Sequence, residues 1–220
     1  MTGLVRKSTF LVAIAMIVGV ASAYAGIVSP GNSTVGATRI NLVGFNSASS
    51  GDQADSVSTG AKLTVTVRDI ANNPIAGVPV VVDFSGCTSD VKIASTQSYH
   101  AEAATCAAAT VQGYTTTNGT VSFVVIGGRS AATAHAAGCA KVYADSYLLG
   151  SLGVGTYDQN NTGGLTLADL GLWGTDYFGG SNPDRSDYDG NATVSLADLG
   201  LWGVAYFGGH SPNSGAVLCP

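Results

Sequence analysis

The sequence predicts a mainly β protein with a small α module: a β-sandwich over residues 26–156, a two-repeat helical unit over 157–209 and a short tail over 210–220. Three observations predict it. Apolar and polar residues alternate with period two from about residue 37 to 156, as half-buried strands require. A segment beginning at Asp158 then returns at an offset of 29 residues. The charge balance also shifts, because seven of the fourteen acids lie within 158–198, where Arg185 is the only base. Thirteen of the fourteen acids are Asp, with Glu102 the exception, and Asp favours turns over helix surfaces.

The strands can be placed individually. Leu63-Thr64-Val65-Thr66-Val67-Arg68-Asp69 alternates strictly, and Ala71-Asn72-Asn73-Pro74 follows as a turn. Val78, Val80, Val82 and Phe84 point one way, with Pro79 and Asp83 on the other face. Asn118-Gly119 is a hairpin-type turn leading into Thr120–Ile126, and Asp145-Ser146 joins Lys141–Ala144 to Tyr147–Leu149 as another hairpin. Short strands at this spacing indicate a β-sandwich. Leu63–Phe84, and Thr116–Val121 after it, resemble bacterial immunoglobulin-like domains of the invasin type. The resemblance implies an immunoglobulin-like β-sandwich and leaves function open, since such domains serve as spacers, adhesins and carbohydrate binders alike.

Arg6 and Lys7, the apolar run Phe10–Val20 and the small residues Ala21-Ser22-Ala23-Tyr24-Ala25 form an export signal over 1–25, with cleavage expected after Ala25. An uncleaved anchor is the rival reading, because apolar and small residues continue to Val28. Cleavage leaves a secreted, extracellular or surface-attached chain with no membrane span. Cys87, Cys106, Cys139 and Cys219 form no C-x-x-C and no Cys/His spacing that suits zinc, so two disulfides are expected. Of the three pairings that four cysteines allow, Cys87 with Cys106 is favoured because they bracket one polar insertion, leaving Cys139 with Cys219. Tyr99-His100 in that insertion reads as part of a solvated loop.

The repeat carries the chemistry. Leu165–Gly174 recurs as Val194–Gly203, and Tyr177-Phe178-Gly179-Gly180 as Tyr206-Phe207-Gly208-Gly209, with one of the two tryptophans in each copy. Oxygen-bearing residues stand at alternate positions before each shared Asp. The first copy offers Asp158, Asn160, Thr162, Gly164, Thr166 and Asp169; the second offers Asp187, Asp189, Asn191, Thr193, Ser195 and Asp198. These are positions 1, 3, 5, 7, 9 and 12 of a calcium loop. Calcium takes roughly six to eight oxygens, with the backbone carbonyl used at position 7 and often a water at position 9, so Gly164, Thr193, Thr166 and Ser195 can serve there. Two Ca²⁺ ions are expected. Position 6 wants glycine for its positive φ; Gly163 satisfies this, whereas Ala192 does not. The second loop has three carboxylates against two in the first, and charge is expected to make it the tighter site.

A loop followed by one helix, Asp at position 12 and two tandem copies resembles a type I dockerin, the calcium-dependent docking module of secreted bacterial proteins, in its F-hand form. The resemblance implies a protein partner, a cohesin-like or other surface receptor. At the places where such modules select partners, Leu167-Ala168, Leu196-Ala197, Gly174-Thr175 and Gly203-Val204 lack the usual hydroxyl pair and basic residues, which puts a conventional cohesin in doubt. Leu170, Trp173 and Tyr177, matched by Leu199, Trp202 and Tyr206, read as a shared two-helix core rather than sugar platforms. Gly171, Gly174, Gly200 and Gly203 weaken the helices, and close approach of another surface is the expected compensation.

Other functions find no support. Nine basic residues and a pI near 4.8 argue against nucleic acid. No G-x-S-x-G or H-E-x-x-H motif occurs, and His100, His135 and His210 are scattered. Nothing singles out two of Asp52, Asp55, Asp69, Asp83, Asp90, Glu102 and Asp145 as a glycosidase pair. The expectation is a secreted, non-catalytic calcium-binding protein whose docking module displays a sandwich domain. The alternative is a carbohydrate-binding accessory protein of polysaccharide degradation.

Overall fold

The computed structural model describes residues 26–43, 60–97, 103–129, 138–160, 165–179, 183–207 and 218–219. The expected signal segment, the Tyr99-His100 loop and the three histidines lie outside them. The chain is mainly β with a small α module. Its strands are β1 (Thr34–Val35), β2 (Arg39–Leu42), β3 (Lys62–Thr66), β4 (Pro79–Asp83), β5 (Val91–Ile93), β6 (Ala103–Thr105), β7 (Thr110–Tyr114), β8 (Thr120–Val124), β9 (Gly127–Arg129), β10 (Ala140–Ala144) and β11 (Tyr147–Thr156). The helices are α1 (Leu167–Tyr177), α2 (Pro183–Ser186) and α3 (Leu196–Phe207).

Period-two patterning becomes two faces. Six strands form one sheet in the order β2-β11-β10-β4-β7-β6, three form another as β1-β3-β8, and β5 pairs with β9. Leu63, Val65 and Phe123 from the three-stranded sheet meet Val80, Val82, Val111, Val142 and Leu152 from the six-stranded one in a single core. The intervening residues of β3 and β4 are only partly buried, as alternation demands. Each fully buried Val or Leu side chain contributes about 1.5–3 kcal/mol by leaving water.

Two turns behave differently from one another. Asp145 and Ser146 both adopt positive φ (44° and 70°), which suits a two-residue hairpin between β10 and β11. Asn118-Gly119 does not close a hairpin between paired strands. It turns a corner, since β7 pairs with β4 and β6 whereas β8 pairs with β3. Gly119 (φ 71°) is required there, because a Cβ would lie 2.6 Å from the Val67 carbonyl oxygen. β11 continues beyond the hairpin to Thr156, where Gly153–Thr156 pair in parallel with Arg39–Leu42 of β2.

The cysteines pair as Cys87–Cys139 and Cys106–Cys219, which corrects the expected Cys87–Cys106 and Cys139–Cys219 bridges. Sheet neighbours, not the insertion between two cysteines, decide the partners. Cys87 follows β4, and the antiparallel pairing of Lys141 with Asp83 brings Cys139 beside it. Cys106 follows β6; the tail returns to β5, where the Cys219 N–H donates to the Ile93 carbonyl at 2.9 Å. Two disulfides fit an oxidising compartment. Among the described residues no helix is long and apolar enough to cross a membrane.

Candidate metal centre

Short polar side chains dictate the second loop. Asp187 Oδ1 accepts from the Gly190 and Asn191 N–H groups at 2.9 and 3.1 Å, and its Oδ2 from Ala192 N–H at 2.8 Å. Asp189 Oδ1 accepts from Asn191 N–H at 3.0 Å, and Asn191 Oδ1 from Thr193 N–H at 2.8 Å. This succession of side-chain-to-backbone bonds curls the chain tightly. Ala192 takes φ 67°, the left-handed conformation that position 6 calls for.

Asp198 closes the loop from the first turn of α3. Its Oδ1 accepts from Tyr188 and Asp189 N–H at 2.7 and 3.1 Å; its Oδ2 accepts from the Ser195 N–H at 2.7 Å and hydroxyl at 3.1 Å. Ser195 Oγ in turn accepts from Ala197 N–H at 3.2 Å. The first copy repeats every one of these bonds. Asp169 Oδ1 accepts from Gln159 and Asn160 N–H at 2.8 and 3.0 Å, and its Oδ2 from the Thr166 N–H at 2.8 Å and hydroxyl at 3.0 Å. Thr166 caps α1, with Asp169 completing a capping box.

One carboxylate oxygen from each of Asp187, Asp189 and Asp198 lies within 4.8 Å of the others. Asp187 and Asp198 are buried and Asp189 is exposed at the mouth. Partial loss of hydration raises the Asp189 carboxyl above its ordinary value, and the charges of Asp198 and Asp187 add to this against the Asn191 N–H bond. Arg185, the base nearest in sequence, is committed elsewhere through its bidentate pair with Asp176 at 2.6 and 2.9 Å. Three oxygen donors crowded with like charge could hold a hard divalent cation rather than a metal preferring nitrogen or sulfur. Asn191, Thr193 and Ser195 stand on the same loop as further oxygen sources. In the first loop Asp158 and Asp169 are buried and Asn160 is partly so. Thr162 and Gly164 lie outside the described residues.

The two tryptophans are core residues: Trp173 and Trp202 are buried with Leu165, Tyr157 and Tyr188. Each stacks on a tyrosine one turn later, at 5.0 Å on Tyr177 and 4.9 Å on Tyr206. Nothing in the described chain approaches the helix glycines, since a Cβ at Gly171, Gly174, Gly200 or Gly203 meets no atom within 4 Å. Among the described residues, the β-domain therefore does not supply the expected covering surface.

A buried polar seam went unread in the sequence. Gln159 and Tyr188 occupy position 2 of their respective loops, and the Gln159 side-chain amide donates to the Tyr188 hydroxyl at 2.5 Å and to Ser186 Oγ at 3.0 Å. Ser186 donates to Asp176 at 2.6 Å. Burial, foremost, and the neighbouring Tyr157 raise the Tyr188 phenol well above its ordinary value, so it stays neutral. The available signal was a large polar residue at position 2 of both loops. Comparison of the chain with protein-family models, with curated proteins and with solved structures gives no match.

Proposed function

We propose that the chain is a secreted, non-catalytic calcium-binding protein in which a dockerin-like two-loop module attaches an immunoglobulin-like β-sandwich to an extracellular partner. The convergence of Asp187, Asp189 and Asp198 in a loop closed like its sister at Asp169 carries this reading. Bound calcium would be held by Asp187, Asp189, Asn191, Thr193 and Asp198 in one loop and by Asp158, Asn160 and Asp169 with the intervening residues in the other. It would supply charge neutralisation, and the chain supplies the cage. The exposed apolar residues come in duplicate: Leu167 and Leu196 are 66% and 65% exposed, Phe178 and Phe207 86% and 85%. Beside the open glycine positions they offer a surface for a protein receptor, cohesin-like or otherwise. Native mass spectrometry in millimolar Ca²⁺ tests the metal: two bound ions, lost with EGTA, are expected, and none bound ends the reading.

A second reading has its own observation. Gln112 and Tyr114 lie on the solvent side of the six-stranded sheet, Tyr114 61% exposed and its hydroxyl held by Gln112 at 2.8 Å. Tyrosine beside an amide suits a polysaccharide. Retention of the full chain on insoluble glycans, lost in Tyr114→Ala, supports that reading; no retention removes it.

A further inference from the structure

No linker separates the β-domain from the helical module. β11 ends at Thr156, still paired with Leu42 of β2, and Asp158 opens the first loop two residues later. The second loop is joined to the same strand by its backbone. Asn41 of β2 is fully buried, and its Nδ2 donates to the Tyr188 carbonyl at 2.8 Å and to the Tyr157 hydroxyl at 3.3 Å. Tyr188 stands between Asp187 and Asp189, and its N–H is the 2.7 Å donor to Asp198. A single residue thus bonds the closing carboxylate of the metal loop on one side and the β-domain on the other. Its ring, buried and 4.7 Å from that of Tyr157, fixes the position. Gly190, in the same loop, packs on β2 so closely that a Cβ would lie 3.2 Å from Arg39 Cβ.

We propose that cation binding in the second loop and docking of the helical module on β2 are one coupled equilibrium, with Asn41 and Tyr188 as the joint. The inference rests on the calcium reading above. The physical ground is that Asn41 finds both amide-donor partners in or beside the module. If the loop opens, the 2.8 Å bond between the buried Asn41 amide and the Tyr188 carbonyl is lost, which the folded chain resists. A cation that orders Asp187, Asp189 and Asp198 therefore orders the joint, and by linkage an intact joint tightens the cation. The Cys106–Cys219 bridge keeps a released module tethered at its far end.

The test uses the full chain and calcium alone. Wild type is titrated by calorimetry beside Asn41→Leu, which removes the donor at similar volume. One of the two binding steps is expected to weaken about fivefold or more. Hydrogen exchange on unmodified protein gives a readout that no misfolded variant can confuse: calcium should slow exchange of the β2 amides. Calcium binding to Asn41→Leu at wild-type strength, or β2 exchange indifferent to calcium, overturns the coupling and leaves the calcium reading standing. A wild type that binds no calcium overturns both.

Discussion

The two copies of the repeat share a frame and differ in what fills it. Asp169 and Asp198 accept the same four donors, Thr166 and Ser195 cap the same way, and both tryptophans stack on the tyrosine one turn on. Three of the differences bear on packing and charge. Position 2 is Gln159 in one copy and Tyr188 in the other, and the two meet. The first copy has two carboxylates at the ligand positions and the second three. Asp176, buried in an ion pair with Arg185, corresponds to Ala205, buried in the apolar core. The lesson is a division of labour. Closing bonds made within each copy set the loop shape, whereas Gln159, Tyr188 and Asp176 bond across to the other copy, the segment between the copies or the β-domain and break the symmetry.

The largest expected effect strips what both copies share. Ligand at 100 times its Kd adds about 2.7 kcal/mol per site, and a unit of ~50 residues buries too little to replace that. EGTA should collapse the helicity of α1 and α3 in far-UV circular dichroism, while the β-domain, stapled by Cys87–Cys139, keeps its cooperative melt. Helicity unchanged by EGTA would mean that the Asp169 and Asp198 bonds suffice without metal.

Next comes a change that removes a difference. Asp176→Ala makes the first copy like the second at this place, but strands a buried Arg185 and removes an acceptor from Ser186. Breaking such a pair costs about 3–5 kcal/mol, which denaturant unfolding in calcium would register. A loss under 1 kcal/mol would show the pair to be dispensable. A smaller contrast concerns affinity. Asp198→Ala should weaken calcium binding more than Asp169→Ala, because the second loop concentrates three carboxylates within 4.8 Å; calorimetry showing the reverse order would rank backbone fit above charge.

How much of this was legible depends on the range of the interaction. The strands at Lys62–Thr66 and Pro79–Asp83 follow from local alternation, and the Asp145-Ser146 hairpin from two residues that tolerate positive φ. The position 12 carboxylates and both helix starts were readable because each acts within twelve residues of its own loop. The disulfide partners, the parallel run of β11 along β2, and the Asn41–Tyr188 joint were not, because 52 to 147 residues separate the groups that meet. Asp176 and Arg185 are only nine residues apart, yet nothing in the sequence marks this acid, among the seven in the stretch, as the one that pairs with Arg185. Burial came from the packing of α1 on α2, which no local pattern encodes.

Position 6 supplies the finest contrast. Ala192 holds φ 67°, where glycine is at ease and alanine is strained by about 1–2 kcal/mol. It is kept there by its N–H, which donates to Asp187 Oδ2 at 2.8 Å, and by the Asx bonds on either side. Ala192→Gly removes the strain but also loosens the unfolded chain, a loss of roughly 0.4–1 kcal/mol. The net expectation is a gain of at most about 1.6 kcal/mol, seen as a raised melting temperature of the helical module in calcium, with affinity at the second site equal to wild type or tighter. The exposed methyl of Ala192 has no packing role that glycine would forfeit. A lowered melting temperature would therefore mean that the strained alanine itself preorganises the loop, and that the second copy owes its cage to rigidity as much as to charge.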